Sequence, residues 1–279
     1  MPGHPLFAAD QREAALDFFA EQNYTVIADA LTPDDVGTLL EFMDRSQAER
    51  PVEWNVGKGN VLSHTQILIL HPELDRWIKL PTIFPIVEQI MGPDVRFGQF
   101  DFRSVPVDIA VDQPMAFHRD RKFAVAEGQM RRPGRFSECS YVCSIVYLTD
   151  VDDITSPAFT VVPNSHPAEY GTYQEARQKM GSAFAEVPII GPAGTCVLYN
   201  IHIYHTRGAR RGARRTLHHY YSCQSSPPLT NWVMIPQRLT EHADPGERAY
   251  FSQWTDATRA YAEAGYIRQH YDDHVMEKR

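Results

Sequence analysis

The chain has 279 residues, of which 43% are hydrophobic, and a formal net charge of −8. This hydrophobic content is too high for a disordered chain and is enough for a sizeable core. The acidic balance argues against a general nucleic-acid-binding protein, which would be basic overall. Four cysteines without a C-x-x-C pair indicate reduced thiols rather than a disulfide framework.

The beginning of the chain carries no recognisable targeting signal. Residues 1–19 lack a basic segment followed by a long apolar run. No stretch approaches the roughly 20 apolar residues that a membrane span requires. We therefore expect a cytoplasmic protein that does not enter a membrane, and the sequence leaves monomer and homodimer open.

The first part of the chain reads as helices with one short strand. Asp10 is predicted to cap a first helix, and residues 23–29 are predicted to form the strand. Thr32 is predicted to cap a second helix, with proline next to it at the first helical position. Residues 81–92 are predicted to form a short helix that Gly92 closes.

The residue pattern changes after residue 93, where short runs rich in β-forming residues alternate with Pro, Gly, Asn and Asp. Helices followed by many short strands suggest a β-barrel or jelly roll with helices packed on one side. We therefore predict a single domain over 1–279. Its parts are an N-terminal helical support (about 1–92), a β core (about 93–224) and a C-terminal helical extension (about 225–279).

The first chemical signal is His118 and Asp120, which flank Arg119. Residues i and i+2 of a strand point to the same side, so His118 and Asp120 project together while Arg119 points away. A second histidine from a distant strand would complete the two-His, one-carboxylate triad of the non-haem Fe(II) oxygenases. Taken alone, such a pair more often arises by chance, for example as a hydrogen-bonded pair on the surface.

A second signal lies in residues 194–222. A glycine turn leads into a strand and then to His205, and a Gly- and Arg-rich loop precedes a strand that opens at Arg214. This order resembles the iron-ligand and co-substrate region of the phytanoyl-CoA dioxygenase family, whose members are Fe(II)- and 2-oxoglutarate-dependent oxygenases. One extra residue stands between His205 and Gly208 compared with the family pattern.

The resemblance extends over about residues 10–222. The segment VVPNSHP is similar to the family's "VVPGSH", with Asn164 where glycine is usual. Asn23 and Tyr24 are similar to the family's "N-G-Y" entry, without its glycine. The resemblance implies a mainly β fold with flanking helices: a double-stranded β-helix (jelly roll, cupin-like) with N-terminal helices packed on one side.

The resemblance also implies roles for individual residues. His118, Asp120 and His205 would bind Fe(II), and Arg214 would pair with the distal carboxylate of 2-oxoglutarate, with Arg215 as the alternative register. With O2 as the second co-substrate, the implied reaction hydroxylates or otherwise oxidises an unactivated C–H bond of a small organic molecule and releases succinate and CO2. Related halogenases carry Ala or Gly at the carboxylate position, so Asp120 favours a hydroxylase.

Several alternatives remain open. Two histidines and a carboxylate also suit Zn²⁺ in a hydrolase or isomerase, although such an enzyme would not need Arg214. The basic residues within 121–135 favour an anionic substrate, or they are a solvated loop. Among the other histidines, His64 lies with His71 in a pre-core segment and is predicted to be a surface histidine with satisfied hydrogen bonds, with a place at the substrate mouth as the alternative. His166 is predicted to be structural, and His202 to be structural or to line the pocket. One of the adjacent His218 and His219 must face the barrel interior. The remaining loop arginines are predicted to be solvated: Arg207, Arg210 and Arg211.

Overall fold

The computed structural model describes residues 3–92, 95–112, 114–120, 135–136, 139–152, 155–223 and 233–251. The helices are α1 (Arg12–Gln22), α2 (Pro33–Glu49), α3 (Phe84–Met91), α4 (Ile109–Asp112), α5 (Tyr173–Met180), α6 (Gln237–Thr240) and α7 (Pro245–Phe251). The strands are β1 (Tyr24–Ile27), β2 (Asn55–Val56), β3 (Leu62–His64), β4 (Val95–Val105), β5 (Tyr141–Tyr147), β6 (Phe159–Val161), β7 (Val187–Ile189), β8 (Cys196–Asn200), β9 (His205–Arg207) and β10 (Arg214–Cys223).

The strands form two antiparallel sheets. The larger sheet has the order β1-β8-β5-β10-β4-β3-β2, and the smaller has the order β7-β6-β9. Tyr147 and Tyr199 of the larger sheet share a buried cluster with Phe159 and Val161 of the smaller sheet, so the sheets face each other. This two-sheet arrangement with flanking helices confirms the predicted fold class, a jelly roll with its helices outside.

The central strand β5 shows why a continuous apolar run forms here. All seven of its residues are buried. Cys143 and Ile145 lie in the cluster between the sheets, whereas Val142 and Val146 pack in the cluster that includes residues of the N-terminal helices. A strand covered on both faces loses the apolar–polar alternation of a half-exposed strand.

The N-terminal helices cover the outer face of the larger sheet. Helix α2 begins as predicted, because the Thr32 side chain accepts a hydrogen bond from the Asp35 amide at 3.1 Å. Helix α3 ends at Gly92, also as predicted. The prediction for Asp10 is wrong: Gln11 occupies the N-cap position of α1 and makes no side-chain cap. The Gln11 side chain instead accepts a hydrogen bond from the Ala8 amide.

A bulge at Gly98 sets which residues of β4 face the cavity. The register of β10 against β4 shifts between Tyr220 and Tyr221. A Cβ at Gly98 would lie 2.7 Å from the Tyr220 carbonyl oxygen, so only glycine fits this close approach. Phe97 before the bulge and Phe100 after it both belong to the outer core. In a regular strand, residues three positions apart would point to opposite faces, so the bulge is what brings both to the same face.

The C-terminal extension falls largely outside the described residues, which include none of 224–232 or 252–279. Its described part contains α6 and α7. Tyr250 of α7 packs edge-on against Phe84 and Phe97, which attaches this part to α3 and β4. Within the described residues, no helix combines the length and apolarity needed to cross a membrane.

Candidate metal centre and co-substrate pocket

Two backbone segments bring the three predicted ligands together. His118 and His205 exchange backbone hydrogen bonds of 3.0 and 2.9 Å, which form an isolated antiparallel bridge at the edge of β9. The Asp120 amide donates to the Ile201 carbonyl at 3.3 Å. The segment 118–120 is thus anchored to the turn between β8 and β9 as well as to β9 itself.

The side chains of these residues point to one place. Asp120 Oδ1 lies 3.6 Å from Nε2 of His118 and 3.5 Å from Nε2 of His205. The two imidazole rings are 4.5 Å apart between centroids, and the three ligand atoms lie within 4.8 Å of one another. The structure therefore assembles the two-His, one-carboxylate set that the sequence suggested, from residues far apart in the chain.

Both histidines present the same nitrogen to this centre. Nδ1 of His118 lies 3.0 Å from the Ala116 carbonyl oxygen, and Nδ1 of His205 lies 3.0 Å from the Ile203 carbonyl oxygen. A carbonyl only accepts, so each Nδ1 must carry a proton, and each Nε2 is the nitrogen left to face Asp120 or a metal ion. Outer hydrogen bonds of this kind fix the tautomer and the ring orientation of metal-binding histidines.

The carboxylate between the histidines is held in its charged form. Burial opposes the charge, but hydrogen bonds from His118 and His205 outweigh it, and the pKa of Asp120 lies well below its usual range. The Asp120 carboxylate raises the pKa of His118 in return. Only 4% of the His205 side chain is exposed, against 41% for His118, so the centre is closed on the β9 side and open on the other.

Arg119 points away from the centre, as predicted. Its guanidinium donates to the carbonyl oxygens of Ser165 and Pro167 and lies over the Tyr204 ring, 4.3 Å from the centroid. These contacts hold Arg119, which stands between His118 and Asp120 in the chain, against the turn that follows β6. Arg119 therefore positions His118 and Asp120 without touching the centre.

The three ligands line an open cavity of about 110 Å³. Arg214 lines the same cavity and is 6% exposed. Its Nη1 donates to the Pro157 carbonyl at 2.5 Å, and its Nε has no partner within the described residues. Burial lowers the pKa of Arg214 to about 10. A buried guanidinium without a carboxylate beside it is costly unless an anion binds there.

The neighbouring Arg215 lies elsewhere. Its guanidinium pairs with Asp44 at 2.7 Å, where the two side chains are 29% and 62% exposed. Successive strand residues point to opposite faces, so only one of Arg214 and Arg215 can face the cavity. The cavity contains Arg214.

The adjacent histidines of β10 also divide between the two faces. His218 lines the cavity, and its Nε2 lies 2.8 Å from the Thr216 hydroxyl. Burial, together with the nearby charges of Arg103 and Arg214, lowers the pKa of His218 well below its usual value, so this side chain is neutral. His219 faces the helices instead. His202 is fully buried and lies edge-on to Tyr141.

Sequence reasoning missed one part of the cavity and misplaced another. Arg103 lines the cavity, where its Nη2 lies 3.2 Å from Asp101 and donates to the Tyr220 hydroxyl at 2.9 Å. The signal was present, because Gln99, Asp101 and Arg103 alternate with Phe100 and Phe102 along β4. The prediction that Arg207 is solvated is wrong: it lines the cavity and is partly buried.

The basic segment predicted to border the pocket, residues 121–135, lies outside the described residues except for its last member. Arg135 pairs with Asp17 of α1 at 2.5 Å and lies over the Phe136 ring. It does not line the cavity. Of the other loop arginines, Arg210 and Arg211 are exposed as predicted, and Arg211 pairs with Asp108 at 3.0 Å.

A jelly roll that holds two histidines and one carboxylate at an open cavity has the architecture of the non-haem iron oxygenases. The family model for phytanoyl-CoA dioxygenase (PhyH) matches residues 19–216 of this sequence. The chain belongs to the phytanoyl-CoA dioxygenase family, whose enzymes use Fe(II), 2-oxoglutarate and O2.

Solved structures share the fold of this chain. EctD from S. alaskensis, solved with bound Fe, has a TM-score of 0.62 at 18% identity and covers 85% of this chain and 82% of its own. HygX from Streptomyces hygroscopicus, solved with nickel and 2-oxoglutarate, has a TM-score of 0.59 at 16% identity and covers 83% and 97%. The epimerase SnoN from nogalamycin biosynthesis has a TM-score of 0.60 at 18% identity and covers 80% and 88%. No curated protein matches the chain.

Proposed function

We propose that this protein is an Fe(II)- and 2-oxoglutarate-dependent dioxygenase that hydroxylates an unactivated C–H bond of a small organic molecule. Succinate and CO2 are the products of the co-substrate. The observation that carries the proposal is that His118, Asp120 and His205 converge on one point of the cavity that also contains the buried guanidinium of Arg214.

The donor atoms fit Fe(II). Two imidazole nitrogens and one carboxylate oxygen approach the centre from one side, and the cavity occupies the other. An Fe(II) ion held by these three residues would have open positions for reactants on the cavity side, as in the facial triad. When bound, Fe(II) supplies the site at which 2-oxoglutarate and O2 react, and the residues of this chain orient the reactants and exclude water.

Arg214 is assigned to the distal carboxylate of 2-oxoglutarate. A planar guanidinium forms two parallel hydrogen bonds with a carboxylate, which fixes the orientation of the co-substrate as well as its affinity. The Nε of Arg214, which lacks a partner within the described residues, is one of the donors such a pair would use. Arg215 is occupied by Asp44 on the other face of the sheet.

The substrate is assigned to the small anionic molecules. Arg103 and Arg207 line the cavity in addition to Arg214, whereas Asp120 is the one carboxylate among its described lining residues. The Arg103 side chain is 38% exposed and is fixed by Asp101 and Tyr220, so its guanidinium is oriented before a ligand binds. A carboxylate or phosphate group of the substrate is the partner that this arrangement favours.

Asp120 distinguishes between outcomes of the oxidation. A halogenase needs the position of this carboxylate for chloride, and here the Asp120 oxygen occupies it between His118 and His205. Hydroxylation is therefore assigned in preference to halogenation. Product analysis after turnover in ¹⁸O2 tests the assignment: one labelled hydroxyl oxygen is expected, and an unlabelled epimer or ring-closed product would contradict it.

The experiment that tests the central proposal is an anaerobic titration with Fe(II) and 2-oxoglutarate. We expect a visible charge-transfer absorption from the chelate, lost in Asp120→Ala and retained in Arg215→Ala, followed by O2-dependent release of succinate. A zinc hydrolase would show no such absorption and would turn over with Zn²⁺ in the absence of O2. Either observation would overturn the proposal.

A further inference from the structure

A second cluster of metal-binding side chains lies outside the cavity. It consists of Glu53, at the end of the 3₁₀ turn Pro51–Glu53, His64, at the end of β3, and His71, just before the 3₁₀ turn Pro72–Trp77. Each offers one ligand atom, and these atoms lie within 4.8 Å of one another. We propose that Glu53, His64 and His71 form a second divalent-metal site, of the kind that takes Zn²⁺.

The two nitrogen–oxygen distances fit tetrahedral coordination. Nε2 of His64 and Nε2 of His71 each lie 3.2 Å from the same oxygen of Glu53, Oε2. With metal–ligand bonds of ~2.0–2.1 Å, two ligands of a tetrahedral ion lie ~3.3 Å apart. A small adjustment of the Glu53 side chain would therefore place a zinc ion between these atoms. Two histidines and a glutamate with water in the fourth position is a known zinc ligand set.

The ligands are held by contacts outside the cluster. The other ring nitrogen of His71 lies 3.4 Å from the Glu73 carboxylate, as expected for a metal-binding histidine with a carboxylate behind it. The other oxygen of Glu53 accepts from Arg50 at 2.9 Å. The His64 ring packs edge-on against Trp54, 5.4 Å between centroids.

Burial separates this cluster from ordinary surface histidines. His64 is 3% exposed, and within the described residues its Nδ1 has no hydrogen-bond partner. His71 is 9% exposed, while the Glu53 side chain is 16% exposed, so an ion could enter past the glutamate. Two buried imidazoles that share one carboxylate oxygen hold the three ligand atoms close together before a metal ion binds, and the ion would replace the Nε2 protons that donate to Glu53.

The position of the site gives it a role. β3 is a three-residue strand that pairs with β4, where His64 faces Phe102, and the chain on either side of it is mostly turns. Val61, three residues before His64, lines the catalytic cavity. An ion held by Glu53, His64 and His71 would join three irregular segments and fix this wall of the cavity. Such cross-links stabilise because binding is coupled to folding.

The test disables the metal centre in the cavity, the first centre, so that metal binding at Glu53, His64 and His71 can be measured alone. Metal-free His118→Ala/Asp120→Ala protein is titrated with Co²⁺, because tetrahedral Co²⁺ absorbs visible light more strongly than octahedral Co²⁺. We expect one equivalent to bind with tetrahedral absorption, and Zn²⁺ to displace it. The result does not depend on the function proposed for the first centre, since both of that centre's proximal ligands are absent.

Matched variants in the same background locate the ion. Glu53→Gln and His64→Gln are each expected to lose the bound equivalent, and Glu73→Gln to weaken binding ~10-fold. His242→Gln, which changes an exposed histidine outside both clusters, serves as the control and should leave binding unchanged. If His64→Gln fails to fold, Glu53→Gln, which nearly preserves shape, decides the question.

Two results would overturn the proposal. One is the absence of a bound equivalent in the folded background protein, which would identify a cluster held by hydrogen bonds alone. The other is tetrahedral Co²⁺ binding that survives in Glu53→Gln, which would place the ion elsewhere. Loss of binding in this variant with retained far-ultraviolet dichroism supports the site.

Discussion

His118 and His205 exchange a pair of backbone hydrogen bonds, although they lie far apart in the sequence. This bridge places both imidazoles on the same side of the β9 edge and sets their rings 4.5 Å apart. The proximal and distal ligands are therefore parts of one sheet edge, so their separation depends on backbone pairing as well as on side-chain rotamers.

The first prediction concerns the two candidate anchors of 2-oxoglutarate. Arg214→Ala is expected to raise the KM for 2-oxoglutarate by ~10–100-fold, because a charge-assisted hydrogen-bonded pair contributes about 1.5–3 kcal/mol. Arg215→Ala removes an exposed ion pair with Asp44 and should change the KM by less than about threefold. Succinate release measured against 2-oxoglutarate concentration checks both. The opposite ranking would show that the anchor is Arg215.

The second prediction concerns the residue between the proximal ligands. Arg119→Ala removes the hydrogen bonds to Ser165 and Pro167 and should weaken Fe(II) binding by ~10-fold, as loss of an outer contact does at metal sites. Arg210→Ala is the control, because Arg210 is exposed. Anaerobic Fe(II) titration measures both affinities. Equal affinity in the wild-type protein and Arg119→Ala would mean that the ligand pair needs no such support.

The third prediction is a pH dependence of stability that originates in His219. Burial lowers the pKa of His219 to about 4, although a hydrogen bond with the Trp77 carbonyl acts in the opposite direction. The unfolded chain has the ordinary value near 6.5, so between these values the unfolded state binds the proton. The folded state therefore loses stability progressively as the pH falls from about 6.5 to about 4, in total roughly 3 kcal/mol, and loses no more from this group below that range.

His219→Gln isolates this contribution, because Gln does not titrate and other buried histidines are the same in both proteins. Urea unfolding is measured from pH 7 to pH 4. We expect the free energy of unfolding of the wild-type protein to fall more steeply with acid than that of His219→Gln. Parallel curves would mean that His219 titrates alike in the folded and unfolded states.

The fourth prediction concerns two departures from the family pattern. Asn23 and Asn164 have φ angles of 62° and 55°, in the left-handed region that glycine usually occupies, and their side chains share a 2.9 Å hydrogen bond. Asn164→Gly keeps the backbone and should cost about 1–3 kcal/mol for the two side-chain hydrogen bonds lost, one with Asn23 and one with the Glu21 carbonyl. Asn164→Val places a β-branched residue at positive φ and should cost about 1–3 kcal/mol more. Denaturant unfolding compares the two; equal losses would contradict the backbone argument.

Sequence patterns predicted the features that depend on strand periodicity and order. His118 and Asp120 share a side because of their i, i+2 spacing, and the place of His205 followed from the family order of strand, histidine and basic loop. The two asparagines explain why the missing glycines do not disturb that order, since asparagine tolerates the left-handed conformation. The fold class followed from the same reasoning.

The features that sequence patterns missed depend on tertiary contacts. Glu53, His64 and His71 lie in turns and a three-residue strand, where neither helical nor strand periodicity indicates which side chains meet. Arg207 was predicted to be solvated because its loop is rich in Gly and Arg, yet it ends β9 and lines the cavity. Gln11 replaced Asp10 at the first helix because local hydrogen bonds, rather than intrinsic cap preference, decide where a helix begins.

The measurement that tests the central claim most directly is an anaerobic crystal structure with Fe(II) and 2-oxoglutarate, with anomalous data at the iron edge. We expect one iron peak within about 2.0–2.3 Å of Nε2 of His118, a carboxylate oxygen of Asp120 and Nε2 of His205. We also expect the distal carboxylate of 2-oxoglutarate against Arg214. An iron peak elsewhere, or one that lacks any of these three ligands, would contradict the account.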